Sequence, residues 1–280
     1  MSPLDRRARP LLGTFVEIGL RPGNAVVFDA AFGQIVHVGE RMSAHSVDSD
    51  LTAIAREAHR GWVAVDAATA EVIRLSLHWA EASDGAFDPV RAGVELVHAG
   101  RRPWFADALP DRAASWRDLK TAGLLVRAAR PLALDLGGVA KGYAVDLAAE
   151  TIAAWGCSGV VNAGGDLRFT GDEERTAFVK RPDAEGRLFE LREIPYPALA
   201  TTGSYVFSAD GENLDLIDSS AGEPVSIGVS VTVFAGSCML ADALTKAVLN
   251  LPADRAAALL KKYDCSALIL ESGGRFRELP

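Results

Sequence analysis

A lysine that follows a glycine pair is the most informative feature of this sequence. The stretch "DLGGVAKGYAVDLAAE" runs from Asp135 to Glu150, and its apolar residues predict a helix from Val139 onward. Gly137 and Gly138 would let the main chain turn sharply before this helix. Because a helix N-terminus attracts anions, Lys141 in the first turn opposes the helix dipole, a cost that a bound phosphate would offset. The alternative is that Lys141 extends into solvent.

An aspartate near the start of a later helix is the second candidate. In "SVTVFAGSCMLADALTKAVLNL" an apolar strand leads through small residues into a helix predicted from Leu240, with Asp242 in its first turn. The helix dipole alone explains an acid there, with Lys246 as an i,i+4 partner worth about 0.3–0.5 kcal/mol. Alternatively, the carboxylate faces the same cavity as Lys141 and holds a hard cation against phosphate oxygens. The pattern leaves both interpretations open.

Other polar positions carry weaker signals. Asn162 and Asp166 flank a glycine pair after a buried strand in "VVNAGGDLRF", but such residues also suit any tight turn. None of the five histidines has a metal-ligand spacing. Ser204 and Ser237 lack the context of a nucleophile elbow, so the sequence does not support hydrolase chemistry of that type.

Composition excludes several classes of protein. The chain has 280 residues, 49% of them hydrophobic, which is enough for a sizeable core. Its net charge is -8 and its Lys and Arg residues are scattered, which argues against nucleic acid or anionic membranes as partners. Three cysteines without a CxxC pair argue against zinc and a disulfide framework. We read no signal peptide, lipobox or membrane segment, and therefore expect a cytoplasmic protein that binds small molecules or proteins.

The candidate residues must be positioned by a mixture of strands and helices. "GTFVEIGL" predicts a strand, and helices are expected from Ala25 to Met42, after a cap at Ser49, and from Thr69. The segment from Val97 to Lys120 is typical of irregular structure. Later strands run into Gly-rich turns, the first of them predicted at "LALDLGG". Because strands and helices mix without strict βαβ alternation, the sequence favours an α+β fold.

Eight stretches in order give the chain a resemblance to a known family. They extend over most of the sequence, and their order is specific although each stretch is common by itself. On these grounds the chain resembles the ApbE family, the FAD:protein FMN transferases. The stretches are "LLGTFVEI", "MSAHSVDSDL", "SDGAFDPV", "LDLGGVAKGYAVD", "VVNAGGDLRFTG", "ALATTGSY", "LDLIDSSAG" and "SVTVFAGSCMLADALTKAV".

The resemblance implies a fold and a reaction. The expected fold is α+β, ApbE-like or T-fold-like, with mixed or antiparallel sheets and packed helices. Residues 1–280 would form one domain, with FAD in a cleft between two lobes. Such enzymes use Mg²⁺ to polarise the pyrophosphate of FAD, transfer FMN to a threonine or serine hydroxyl of a partner protein, and release AMP. Phosphoryl chemistry needs positioning and charge neutralisation, which a cation and a lysine supply.

The resemblance also implies roles for individual residues. Asp242 would bind the metal with its carboxylate and Gly138 with its main-chain carbonyl, while Asp242 and Lys141 would carry the catalysis. The residues implied to contact FAD are Leu12, His45, Ala86, Phe87, Asp88, Asp135, Lys141 and Leu216.

Two departures from the family pattern concern the metal and the pyrophosphate. Lys246 stands where the family usually has a threonine ligand, and the adjacent Thr245 should point elsewhere because one residue is about 100° around a helix. Asp215 replaces a histidine. A Lys246 ammonium could replace the metal electrostatically, or could pair with Asp242 and silence the site. One alternative is therefore a catalytically degenerate FAD- or nucleotide-binding relative. Another, a Mg²⁺-dependent FAD pyrophosphatase, is suggested by Ala55, which stands where the family has an asparagine, and by the altered pocket.

Overall fold

The computed structural model describes residues 4–171, 175–182, 187–203, 217–218, 223–224, 228–272 and 274–280. The helices are α1 (Ala25–Arg41), α2 (Asp50–Glu57), α3 (Ala67–Ala82), α4 (Pro89–His98), α5 (Ala140–Ala154), α6 (Cys238–Asn250) and α7 (Ala253–Lys262). The strands are β1 (Asp5–Leu11), β2 (Thr14–Arg21), β3 (Val63–Ala64), β4 (Leu119–Ala122), β5 (Leu125–Ala128), β6 (Ser158–Ala163), β7 (Asp166–Thr170), β8 (Ala177–Lys180), β9 (Leu188–Leu191), β10 (Ala198–Gly203), β11 (Ile217–Asp218), β12 (Glu223–Pro224), β13 (Val229–Ala235), β14 (Ser266–Glu271) and β15 (Phe276–Leu279).

An eight-stranded antiparallel sheet forms the frame of the fold. Its strand order is β1-β2-β6-β7-β10-β13-β14-β15, while smaller sheets pair β3, β5 and β4, β8 with β9, and β11 with β12. Successive side chains of a strand point to opposite faces of the sheet, so every second residue can enter the core. In β2 these residues are Val16, Ile18 and Leu20, which are fully buried. The expected α+β fold with antiparallel sheets is confirmed.

Three helices pack on this sheet and on each other. α5 contacts β6, β7, α1 and α6, and α6 contacts β10 and β13. Val27, Ala31, Ile35 and Val38 of α1 are fully buried at helical spacing, as the sequence pattern predicts. Within the ranges above, every helix is too short or too polar to span a lipid bilayer.

Caps explain where several helices begin. The Asn24 and Ser49 side chains accept hydrogen bonds at the starts of α1 and α2, so both predicted starts are confirmed. Asp66 caps α3, which therefore begins before the predicted Thr69. The α6 helix begins at Cys238, earlier than the predicted Leu240, because the Ser237 side chain already accepts from the first turn.

The strand predicted at "LALDLGG" is wrong. Its residues from Leu132 to Leu134 are buried, but in the described part of the chain they pair with no strand. The backbone is satisfied by scattered partners instead: Asp135 N donates to Pro89 O at 2.8 Å, and Arg102 Nη1 donates to Leu134 O at 2.7 Å. An apolar run predicts that a segment is buried, and this segment is buried without pairing in a β-sheet. The segment after α4 is irregular, as expected, up to a 3-10 turn at Trp116–Asp118.

The α5 and α6 helices come into backbone contact at one glycine. A Cβ atom at Gly142 would lie only 2.5 Å from the carbonyl oxygen of Cys238. Gly142 N also donates to Asp242 Oδ2 at 3.3 Å. This close crossing places the start of α5 against the start of α6, and so brings Lys141 and Asp242 to the same place.

Candidate functional site

A cleft of about 1380 Å³ opens beside the start of α5. It is walled by the turn between β1 and β2, the C-terminal half of α1, and the loop that follows that helix. Four residues implied to contact FAD lie in its lining: Leu12, His45, Asp135 and Lys141. Leu12 has a left-handed backbone, with φ of 53°, and forms the tight turn that puts it at the rim. The structure thus brings these four residues together from three distant parts of the chain.

Lys141 does not extend freely into solvent. Its Nζ donates to Asp166 Oδ2 at 2.7 Å and to Gly137 O at 3.3 Å, and lies 3.6 Å from Asp242 Oδ2. Its side chain is 29% exposed. Although burial opposes the charged form, the two carboxylates raise the pKa of Lys141, so the lysine is a permanent cation at the edge of the cleft.

Asp242 is completely buried between two lysines. The Lys246 ammonium contacts Asp242 Oδ1, while Oδ2 accepts from Gly142 N. Burial alone would raise the pKa of this carboxyl, but the attraction of Lys141 and Lys246 outweighs it and lowers the pKa below its usual value. The predicted i,i+4 ion pair is confirmed, and it lies in a buried setting rather than on a solvated helix face.

Asp166 completes what we call the ion cluster: Lys141, Asp166, Asp242 and Lys246. It is the first residue of β7 and is buried. Burial and the nearby Asp242 carboxylate raise the pKa of Asp166 to about 6, even though Lys141 donates to it. The sequence indicated Asp166 only as a turn residue, because its partner Lys141 lies in a different element.

The side chain of Lys246 lies between the two residues expected to bind a metal. A Cβ atom at Gly138 would meet Lys246 Cε at 3.0 Å, and the ammonium of the same lysine contacts Asp242. The Thr245 hydroxyl donates to Asp242 O at 2.7 Å and lies 2.7 Å from Thr202 Oγ1, so it points away, as expected.

These residues do not fit a Mg²⁺ ion. Magnesium prefers octahedral oxygen ligands, and the Asp242 carboxylate is already engaged by an ammonium and an amide. In the described ranges, no group of three or more His, Cys, Asp or Glu residues could hold a metal. The donor set suits an ammonium better than a divalent cation.

Arg102 is a residue near the cleft that sequence reasoning missed. Its guanidinium is buried, and burial lowers its pKa despite the attraction of Asp135, whose Oδ1 lies 3.8 Å from Nη2. Asp135 Oδ1 also accepts from Gly137 N at 3.0 Å, which holds the glycine turn in place. No local pattern could have revealed this contact, because Arg102 lies in an irregular segment far from Asp135 in sequence.

The segment from Ala86 to Asp88 lies outside the lining of the cleft. Asp88 caps α4 by accepting from Val90 N and Arg91 N, and also accepts from Trp116 N at 3.2 Å. Burial raises its pKa despite these bonds. Ala86 and Asp88 instead line a separate depression of about 270 Å³. Leu216, the remaining residue implied to contact FAD, and Asp215 lie outside the described residues.

Comparisons with known proteins agree on one family. The model of the ApbE family matches residues 12–269. The FAD:protein FMN transferase of Vibrio cholerae is 27% identical over 268 residues, which cover 86% of this chain and 78% of that protein. The protein of the same name from Rhodobacter capsulatus is 31% identical over 201 residues, covering 66% of this chain and 38% of that one.

Solved structures show the same likeness in the fold. The ApbE protein of Thermotoga maritima superimposes with a TM-score of 0.83 at 26% identity, over 98% of this chain and 96% of that one. The flavin transferase ApbE of Vibrio cholerae superimposes with a TM-score of 0.81 at 25% identity, over 99% of this chain and 97% of that one.

Proposed function

The chain belongs to the ApbE family, and on that premise we propose that it is an FAD:protein FMN transferase. It moves FMN from FAD to a threonine or serine hydroxyl of an acceptor protein and releases AMP. The observation that carries the proposal is a cleft that ends at the Lys141 ammonium, beside a glycine turn and a helix N-terminus. Pockets for drug-sized ligands are roughly 300–1,000 Å³, so a cleft of about 1380 Å³ suits a dinucleotide.

FAD binding is supported by the mixture of apolar and charged residues that line the cleft. Its lining includes apolar side chains such as Leu11, Leu12 and Phe15, and also Asp135 and Lys141. Aromatic rings and apolar walls suit a flavin, whereas a permanent ammonium at a helix N-terminus suits a pyrophosphate. We therefore place the pyrophosphate next to Lys141 and the isoalloxazine ring against the apolar side chains.

The transfer is a substitution at phosphorus. The acceptor oxygen bonds to the phosphorus on the FMN side of the pyrophosphate, and the bond from that phosphorus to the bridging oxygen breaks. AMP leaves with the bridging oxygen, and the hydroxyl proton is released to solvent. Lys141 and Lys246 both lie next to Asp242. In this proposal their positive charges stabilise the phosphoryl oxygens as these become more negative, which is the main contribution of an enzyme to such reactions.

The acceptor and the location stay predictions, whereas magnesium dependence is left out of the proposal. Magnesium dependence follows from the resemblance, yet the residues around Asp242 do not fit that ion, so no step above passes through it. The acceptor is identified only by its hydroxyl, and the cytoplasmic location remains an expectation from sequence. The roles of Leu12, His45, Asp135 and Lys141 toward FAD belong to this proposal.

A transfer assay tests the proposal directly. The full chain is mixed with FAD and an acceptor protein that carries the threonine to be flavinylated. Covalently bound flavin is then detected by its fluorescence on a denaturing gel. We expect a fluorescent acceptor with the wild type and with Lys261→Ala, an exposed lysine of α7, and a loss of at least about 100-fold with Lys141→Ala. Release of free FMN without labelling would identify a pyrophosphatase instead. Bound FAD with neither product would identify a non-catalytic relative.

A further inference from the structure

The Lys246 side chain is placed where a metal ion would have to bind. We propose that its ammonium is the resident cation of this site, so that the chain binds the pyrophosphate of FAD without a divalent metal ion. The inference rests on the proposed function, because it takes FAD as the ligand. It adds that Lys246 contacts the pyrophosphate together with Lys141.

Geometry supports this role for Lys246. It lies one helical turn after Asp242, and its alkyl chain passes Gly138 at 3.0 Å from the position of an added Cβ. The ammonium contacts Asp242 Oδ1, while Gly142 N and Lys141 Nζ of α5 approach Oδ2 of the same carboxylate. The side chain of Lys246 is 21% exposed, so part of it is open to solvent, although its partner Asp242 is fully buried.

Charge balance supports it as well. Asp166 and Asp242 are both buried, and among the described residues only Lys141 forms ion pairs with both. One ammonium cannot neutralise two buried carboxylates, and an unpaired buried charge is strongly unfavourable. Lys246 supplies the second positive charge, which leaves the ion cluster neutral. A divalent ion next to Asp242 would have to displace this ammonium or suffer its repulsion.

An ammonium can also perform the task chemically. It has three N–H donors, so it can stay bonded to Asp242 while it donates to a phosphate oxygen. Such charge-assisted bonds to phosphate are short and strong. Unlike a metal ion, a side chain on a helix is always present and needs no exchange of water ligands.

Binding measurements can decide the question without relying on turnover. FAD affinity is measured from the quenching of flavin fluorescence, in EDTA and in millimolar MgCl₂, for the wild type, Lys246→Thr and the control Lys261→Thr. We expect wild-type and control affinities to differ by less than about twofold between EDTA and MgCl₂. Lys246→Thr should bind FAD at least about tenfold more weakly in EDTA, the loss expected for a charge-assisted hydrogen bond, and regain affinity with MgCl₂.

A second measurement uses the metal alone. Mn²⁺ is titrated into each protein without FAD, and the bound ion is followed by electron paramagnetic resonance. We expect no binding to the wild type at micromolar Mn²⁺ and measurable binding to Lys246→Thr. The wild-type results alone test the role of Lys246, even if the Lys246→Thr variant does not fold.

The outcomes separate this inference from the proposed function. Wild-type FAD binding that disappears in EDTA and returns with MgCl₂, or tight Mn²⁺ binding to the wild type, would overturn the role of Lys246 and leave the FMN transferase proposal standing. Absence of FAD binding under every condition would overturn both.

Discussion

The charges of the ion cluster depend on one another because they are buried together. Two lysines and two aspartates come from α5, β7 and α6, and no member has solvent on all sides. Removing one partner from such a group leaves the others uncompensated, which costs far more than breaking a surface pair. The functional consequence is that positive charge is held rigidly at the edge of the cleft before any ligand arrives.

The mutual dependence of Asp242 and Lys246 should be measurable as a coupling free energy in a double-mutant cycle. With Asp242→Asn, Lys246→Met and the double variant, we expect a coupling free energy of about 1–3 kcal/mol from urea unfolding. The exposed pair of Glu71 and Arg74, 2.7 Å apart on α3, provides the control and should give about 0.5 kcal/mol or less. Equal coupling in the two pairs would mean that Lys246 is an ordinary helix-surface partner.

Asp166 should make stability depend on pH in a specific direction. Its pKa is about 6 in the folded chain, against an ordinary value of 3.8. Between these values the folded chain keeps a proton that the unfolded chain has released, so the contribution of this group to the free energy of unfolding falls as pH rises from 3.8 to about 6.

Unfolding curves of Asp166→Asn measure that effect. The free energy of unfolding of the wild type minus that of Asp166→Asn should decrease across this pH window and level off above it. Asp107→Asn, which changes an exposed carboxyl, serves as the control for general charge effects. A difference that rises with pH would contradict the burial of Asp166 beside Asp242.

At the scale of elements, the site exists because α5 and α6 hold each other in place. Asp146 of α5 accepts from Cys238 N and Met239 N, both at 2.8 Å, and from Arg168 Nη1 at 2.6 Å. A side chain of one helix thus caps the other, satisfying amides that would otherwise lack partners. Together with the backbone contact at Gly142, this fixes the distance between Lys141 and Asp242.

Gly142→Ala should therefore disrupt the crossing of the two helices. The added Cβ would lie 2.5 Å from Cys238 O, so the helices must separate, and we expect a loss of roughly 1–3 kcal/mol in the free energy of unfolding. Gly33→Ala in α1 is a matched control, since an added Cβ there meets nothing within 4 Å, and it should gain roughly 0.5–1 kcal/mol. If urea unfolding gives both variants a gain, the close crossing is not present in solution.

Sequence reasoning succeeded where the cause is local. Ser49 caps α2 because a side-chain oxygen can reach the amides of the next turn, and the periodicity of α1 predicts its buried face. It failed at "LALDLGG", where the backbone forms hydrogen bonds with Pro89 and Arg102 instead of with neighbouring strands. Such partners are distant in sequence and leave no local pattern.

The distinction between local causes and partners distant in sequence also applies to the site. Lys141 was recognisable because it opposes the helix dipole in its own element. Asp242 was predicted in the first turn of its helix, but α6 begins earlier, so Asp242 lies beyond that turn. The meeting of Lys141 and Asp242, and the part of Asp166 in it, depends on the packing of α5 between β7 and α6. The resemblance to a family indicated that Lys141 and Asp242 share a site, and the i,i+4 spacing predicted the pair of Asp242 and Lys246. Only the packing shows that this pair is buried and lies next to Gly138.

At the scale of the whole molecule, the cleft is assembled from segments that are far apart in sequence. Residues 11–14, 43–46 and 135–141 all reach its lining. Ala86 and Asp88 line a separate depression instead. A ligand in the cleft should therefore slow amide exchange in these three segments at once. It should leave amide exchange unchanged in residues 84–88, which include Ala86 and Asp88.

Hydrogen–deuterium exchange with and without FAD can test that prediction on the intact chain. We expect slower amide exchange in peptides covering residues 11–14, 43–46 and 135–141, because a bound ligand excludes solvent and suppresses local opening. Peptides covering residues 84–88 should exchange at the same rate in both states, and so should those of α7, which is the internal control. Protection of residues 84–88 without protection of residues 135–141 would place FAD in the smaller depression and remove the ion cluster from its binding site. Protection of all four segments would mean that the flavin pocket extends from the cleft to Ala86 and Asp88, as the family resemblance implied.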